Sequence, residues 1–183
     1  MSKESEILVQ RRNRIVIAAR KVFLERGHRA TTMEAIAKAA GIAKPTLYGY
    51  FPDKDAVFKS VVSTIVEEMK AAFLENLPSE GTPSERIFHA LACKFLVMHK
   101  VFHGSPHKAE LLSEEGRLSA DDIHSFKKWL HKQVEDILED AGYEEPEFIT
   151  KIMLASIMGV HLEEFDPPTF ARGAQLIIHK LLH

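Results

Sequence analysis

Cysteine is almost absent from this chain. One residue, Cys93, is the whole complement in 183 residues, so no disulfide can form within the chain and an intracellular setting is expected. Its neighbours form an apolar helical run, which points to a buried structural thiol rather than a redox centre. Long apolar runs are also missing. None approaches the roughly 20 residues that span a bilayer. The N-terminal stretch MSKESEILVQRRNR lacks the apolar core of a signal peptide. No membrane partner and a cytoplasmic location are therefore expected. Alternating Val/Ile/Thr runs are absent too, which argues against a sheet. Nothing suggests a nucleophile–base pair or a glycine-rich phosphate loop, so neither an enzyme nor a cofactor is expected.

What is present is ordinary globular material. At 45% hydrophobic and 27% charged, the chain can bury a real core. The net charge of −2 hides an asymmetry: residues 1–60 hold 12 Lys+Arg against 6 Asp+Glu, whereas residues 61–183 hold 12 against 20. A basic head on an acidic body suits a polyanion bound at one end. Segregation of charge by chance gives the same numbers.

Apolar spacing predicts nine helices. The first covers Arg11 to Arg26, with Gly27 as its stop. The second covers Thr32 to Ala39, with Thr31 as cap and Glu34 three residues on, as in a capping box. Gly41 supplies the positive φ of a tight turn. The third opens near Ala43, carries Pro45 in its first turn and ends near Phe51-Pro52. Asp53 caps a fourth, Lys54 to Leu74. The rest cover about Ser84 to Phe102, His107 to Glu115, Ser119 to Ala141, Pro146 to Glu164, and Pro167 to the end.

Helix, tight turn and second helix over Thr31–Lys54 form the pattern of a helix-turn-helix, whose second helix enters the major groove. Ile42 and Leu47 are expected to face a small core with Phe23, Ile36 and Ala37. Lys44, Thr46, Tyr48, Gly49 and Tyr50 are left for the outer face, where Lys, Thr and Tyr can bond phosphate and Thr can also touch base edges. Gly49 has two readings, close approach of backbone to DNA or a helix fraying toward Pro52. Lys54, in the first turn of the fourth helix, would help a phosphate settle there; its other reading is a surface lysine.

The segment ATTMEAIAKAAGIAKPTLYGYFPDKDAVF, within a matching region of about Arg11 to Phe58, resembles the signature of the tetracycline-repressor (TetR-like) family of transcriptional regulators. The resemblance implies an all-α dimer. Residues 1–52 would be a three-helix DNA-binding domain, and residues 53–183 an effector-binding and dimerisation domain. It assigns DNA contacts to Thr32 or its neighbour Thr31, to Tyr48 and to Lys54, and Tyr50 fits its pattern. Ala43 stands where Ser or Thr is common, and Gly49 where a larger side chain is usual, so base preference does not carry over.

The resemblance also orders the body. The last two helices are apolar over much of their circumference and need covering on more than one side. Ala155 and Gly159 would let a second copy approach, with Ile152, Ile177 and Leu181 beside them. A two-fold dimer presents two recognition helices to a palindromic double-stranded operator. The other reading of these helices is a monomer core. The fourth to seventh helices are expected to enclose a small, largely apolar effector touched by Phe88, Phe95, Met98, Phe102, His103 and Trp129, with Met153 from the eighth helix. His99, His103 and His107 with Glu110, and His161 with Glu164, raise the question of zinc; without cysteine partners or a clear fourth ligand, pocket or surface imidazoles are the better reading and no metal is expected. The sum is a regulator, a repressor whose operator affinity an effector alters. The alternatives are a helical protein-interaction module and a DNA-binding regulator with no small-molecule effector.

Overall fold

The computed structural model describes residues 3–162 and 166–182, so the pairing of His161 with Glu164 lies outside the described residues. Among these there are nine α-helices and no strand: α1 Lys3–Ala30, α2 Met33–Ala40, α3 Lys44–Tyr48, α4 Lys54–Glu75, α5 Pro83–Phe102, α6 Lys108–Leu118, α7 Ala120–Asp140, α8 Pro146–Leu162 and α9 Pro167–Leu182. No described helix is long and apolar enough to cross a membrane. The chain packs as two compact units: Met1–Val66 with Phe102–Ile123, and Glu67–Val101 with His124–His183.

The first helix starts eight residues before the expected Arg11. Ile7, Leu8 and Val9 are 44, 50 and 47% exposed, so this added stretch has no buried stripe for a periodicity argument to detect. At the other end, Gly27 breaks the helix at φ 75°, ψ 170°, a region that is essentially glycine's alone. His28 to Ala30 then form a final short turn.

The core of the first unit follows the 3.6-residue period. Ile15, Ala19, Val22 and Phe23 from α1 meet Ile36 and Ala37 from α2, Leu47 from α3, and Val57, Phe58 and Val61 from α4, all buried. The Phe23 ring meets Phe58 edge-on at 5.1 Å and stacks on His28 at 5.8 Å. Arg12 ties α1 to α4: its guanidinium donates to Ser60 Oγ at 2.7 Å and lies 4.9 Å from the centre of the Phe51 ring. Asp53 caps α4 as expected, accepting from Ala56 N at 2.7 Å.

In the second unit, Phe73, Ile87, Leu138, Val134, Met153 and Ile178 are at or near 0% exposure and form the centre. Trp129 packs edge-on against Phe73 at 5.5 Å, and the Tyr143 hydroxyl donates to Leu182 O at 3.0 Å, fastening the end of α9. Cys93 is only half-buried, and desolvation pushes its thiol pKa up; the expectation of a fully buried thiol is corrected to this.

Gly27 and Gly41 separate two costs of a glycine. Gly41 has φ 67° with open space where a Cβ would stand, whereas a Cβ on Gly27 would run into the Glu110 carboxylate. Gly41→Ala is expected to cost about 1 kcal/mol, and Gly27→Ala about 2–3 kcal/mol. Urea unfolding of the two variants measures both; equal losses would show that Glu110 yields freely.

Candidate nucleic-acid interface

The turn between α2 and α3 is built by backbone hydrogen bonds. Gly41 adopts the left-handed conformation (φ 67°, ψ 34°). Its N–H donates to Lys38 O at 3.2 Å, and Ile42 N–H donates to Ala37 O at 3.0 Å. These two bonds form a Schellman motif, which satisfies the last carbonyls of α2 and turns the chain sharply into α3. Leu47, 0% exposed, fastens α3 to the core, while Ile42 is half-buried.

The third helix is shorter than expected. It spans Lys44–Tyr48 rather than reaching Phe51, because Gly49 caps it and both Tyr50 N–H and Phe51 N–H turn back to Leu47 O at 3.0 Å. Ala43 provides no side-chain cap, as its lack of a hydroxyl dictates. Gly49 lies in the right-handed helical region (φ −68°), so its backbone does not demand glycine.

The predicted DNA-facing residues separate into three groups. Thr32, Thr46, Tyr48 and Gly49 are exposed, and Tyr50 is half-buried. Thr32 is also the true cap of α2, accepting from Ala35 N at 3.2 Å. Thr31 fits neither expectation. It is 1% exposed and donates its hydroxyl to Gly27 O at 2.6 Å. It therefore closes the end of α1 and is withdrawn from the DNA-facing set, and with it goes the capping box.

The third group is the two lysines, and both are engaged internally. Lys44 is exposed and ion-paired with Glu34, joining α3 to α2, with its ammonium 5.8 Å from the Tyr48 ring centre. The hydrogen bond from Lys44 holds Glu34 below the usual carboxylate range, and Glu34 raises Lys44 in return. Lys54 donates to His28 O at 2.8 Å and Arg29 O at 3.4 Å, two carbonyls at the end of α1. That geometry makes it a C-terminal clamp for α1.

Two basic residues escaped the sequence reading. Arg11 and Arg14 line a cleft of about 240 Å³ with Ile15, Gly41, Thr46 and Tyr50. No ion pair or hydrogen bond holds either arginine among the described residues. The signal was available in the run Arg11-Arg12-Asn13-Arg14, whose first and last members are three apart on one helix face. A second missed feature is the set of groups around the end of α1. His28 Nε2 lies 3.0 Å from Asp55 Oδ1 and His28 Nδ1 3.8 Å from Glu114 Oε2. Arg29 N–H donates to Glu110 Oε1 at 2.8 Å, and Ser105 Oγ donates to Leu24 O at 2.8 Å. Arg117, 2.7 Å from Glu114, holds that carboxyl below its ordinary range.

The second unit holds a cleft of about 290 Å³ between α5, α7, α8 and α9, not between α4 and α7. Of the seven expected effector residues, only Phe95 lines it. Phe88, Met98 and Trp129 are half-buried elsewhere in this unit, and Met153 is fully buried. Phe102 and His103 belong to the other packing unit. Of the residues expected at a dimer interface, Ile152, Ala155 and Gly159 are exposed on α8, and Ile177 and Leu181 are half-buried on α9. Phe148, Met158 and Leu176 add further exposed apolar surface, at 60, 40 and 58%.

A tri-helical head with a Schellman turn and an exposed third helix defines a helix-turn-helix protein of the DNA-binding kind. The sequence profile described as bacterial regulatory proteins, tetR family, matches residues 15–61. The chain is 26% identical over 80% of each chain to the HTH-type transcriptional regulator YhgD of Bacillus subtilis, and 39% identical to UidR of Escherichia coli over 38% of this chain and 35% of that one. It thus spans four-fifths of the first relative but about a third of the second. The fold is that of a transcriptional regulator from a Rhodococcus species, with a TM-score of 0.78 at 20% identity, covering 93% of this chain and 95% of that one. Residues 15–61 thus match the tetR family, and over four-fifths of its length the chain is similar to a helix-turn-helix transcriptional regulator.

Removing the Lys54 ammonium tests the clamp on α1 directly. Lys54→Ala is expected to lower stability in the absence of DNA by about 1–2 kcal/mol. Denaturant melts monitor this, and an unchanged midpoint would show that water replaces the ammonium at no cost.

Proposed function

We propose that this protein is a dimeric repressor that binds a palindromic operator through residues 1–52 and responds to a small-molecule effector held by residues 53–183. The observation that carries the DNA-binding reading is the exposed face of α3, with Lys44, Thr46 and Tyr48 exposed and Thr46 also lining the Arg11–Arg14 cleft. Thr46 and Tyr48 can donate to phosphate or base edges. Lys44 contributes through the field it shares with Glu34, and Lys54 through whichever donor its two carbonyls leave over. Arg11 and Arg14 need break no internal pair to meet a phosphate, so they supply the largest share of the counterion release. Work on DNA places the protein in the cytoplasm. No catalytic role is assigned.

Dimerisation through α8 and α9 is supported by the exposed apolar residues there, with Gly159 open to approach. Two recognition helices then lie on one face of the operator, one helical turn or a multiple apart.

A gel shift with DNA from upstream of the protein's own gene tests the main reading. Sequence-specific, salt-sensitive binding is expected, and its absence there and on a random operator library would overturn it. Arg11→Ala and Arg14→Ala should each make the dependence of log affinity on log salt shallower by about one. Tyr48→Phe should weaken specific binding by about threefold to tenfold. Gly159→Arg should yield monomers on sedimentation; an intact dimer would move the interface away from α8.

A further inference from the structure

We propose that the Lys44–Glu34 ion pair reads one G·C base pair in each half of the operator, the ammonium meeting guanine and the carboxylate meeting cytosine. This rests on the DNA-binding reading above and gives that site a base preference.

Lys44 is the first residue of α3. In a helix-turn-helix, the residues that open the second helix contact base edges. Glu34 lies in the first turn of α2, two residues after the cap Thr32. The two side chains meet through Glu34 Oε1, yet they stay 48 and 59% exposed. An exposed ion pair adds little to stability. On a face that approaches DNA, a carboxylate also repels phosphate. Glu34 is the one acidic residue in 31–52, so stability alone gives little reason for it there. A donor on a base edge supplies a reason.

The hydrogen-bonding inventory of the pair selects that edge. A lysine has three N–H donors and no acceptor, and an ionised carboxylate only accepts. One bond joins them, so Lys44 keeps two donors and Glu34 keeps free lone pairs. Lys44 above all holds the Glu34 carboxyl below its usual range, so at neutral pH Glu34 accepts and does not donate. The pair thus presents two donors beside an acceptor. In the major groove, G·C presents two neighbouring acceptors, guanine N7 and O6, beside one donor, cytosine N4. A·T alternates acceptor, donor and acceptor, which leaves one ammonium proton without a partner. The match to G·C is complete, and DNA need not break the pair to make it. The bond to Glu34 and the Tyr48 ring, 5.8 Å from the ammonium, hold Lys44 in place beforehand, so less rotamer freedom is lost on binding. As a unit the pair is neutral. It adds selection between sequences rather than affinity for any DNA.

The test is selection by the full chain from a random double-stranded DNA library, followed by competition gel shifts on the selected sequence. The wild type is expected to fix a G·C pair in each half-site, and changing it to A·T should weaken binding by about tenfold to hundredfold. Lys44→Met and Glu34→Gln should each lose the preference at that position and keep the rest of the consensus. Glu34→Gln also leaves the ammonium uncompensated, so the fall of log affinity with log salt should steepen by up to about one. A purely structural glutamate would not move that slope. The double variant Glu34→Lys with Lys44→Glu keeps the pair and should turn the preferred base pair round, to C·G on the same strand. An unaltered consensus in all three variants, or a preference lost at an A·T position, overturns the assignment and leaves DNA binding intact. No consensus from the wild type overturns it together with the reading it rests on.

Discussion

The head of this protein depends on how the end of α1 is closed. An α-helix leaves its last carbonyls without partners, and here the chain must also turn at Gly27 to start α2. Four side chains from three later segments meet that need or brace it. Lys54 takes two carbonyls, Ser105 a third, Glu110 holds the Arg29 N–H, and Thr31 closes the turn on Gly27 O. His28, buried between the Phe23 and Phe58 rings, is bracketed by Asp55 and Glu114. The position of α2, and through the Schellman turn that of α3, follows from this junction. The placement of α3 therefore depends on this junction as well as on its own Leu47 and the Lys44–Glu34 pair.

That arrangement redistributes the charge of the head. A count of lysines and arginines treats each as available to DNA, yet Lys54, Arg12 and Lys44 are occupied by α1 carbonyls, by Ser60 and by Glu34. Using an occupied cation for phosphate binding sacrifices part of an internal interaction, so its net contribution falls. An unoccupied arginine meets phosphate at the cost of its own rotamer freedom alone, and does so with two parallel donors. Lys54 and Lys44 thus contribute to the shape of the head through their internal contacts.

Much of this was legible beforehand where the cause is local. The all-α fold, the Gly41 turn, the Asp53 cap and the burial of Leu47 rest on spacing and on residues within four positions of one another. Misreadings arose where two local solutions compete. Thr31 and Thr32 can each cap α2, and the capping-box spacing favours Thr31; what decides is the extended backbone at Thr32 (φ −120°, ψ 158°) and the pull of Thr31 toward Gly27 O. The Glu110 and Ser105 contacts to α1 span 81 residues each, and no periodicity carries such information. The cleft was missed for a similar reason. Aromatic size singled out Trp129 and Phe88, whereas the cavity is made by which apolar faces fail to meet, with Leu91, Leu130 and Met158 around it.

Regulation needs only a small part of these energies. A tenfold change in operator affinity corresponds to about 1.4 kcal/mol of coupling, and the same factor must appear in the effector's affinity when DNA is bound. A charge-assisted hydrogen bond contributes about 1.5–3 kcal/mol, so one such contact made in only one of two conformations suffices. A ligand that gained equally in both conformations would bind the protein and regulate nothing.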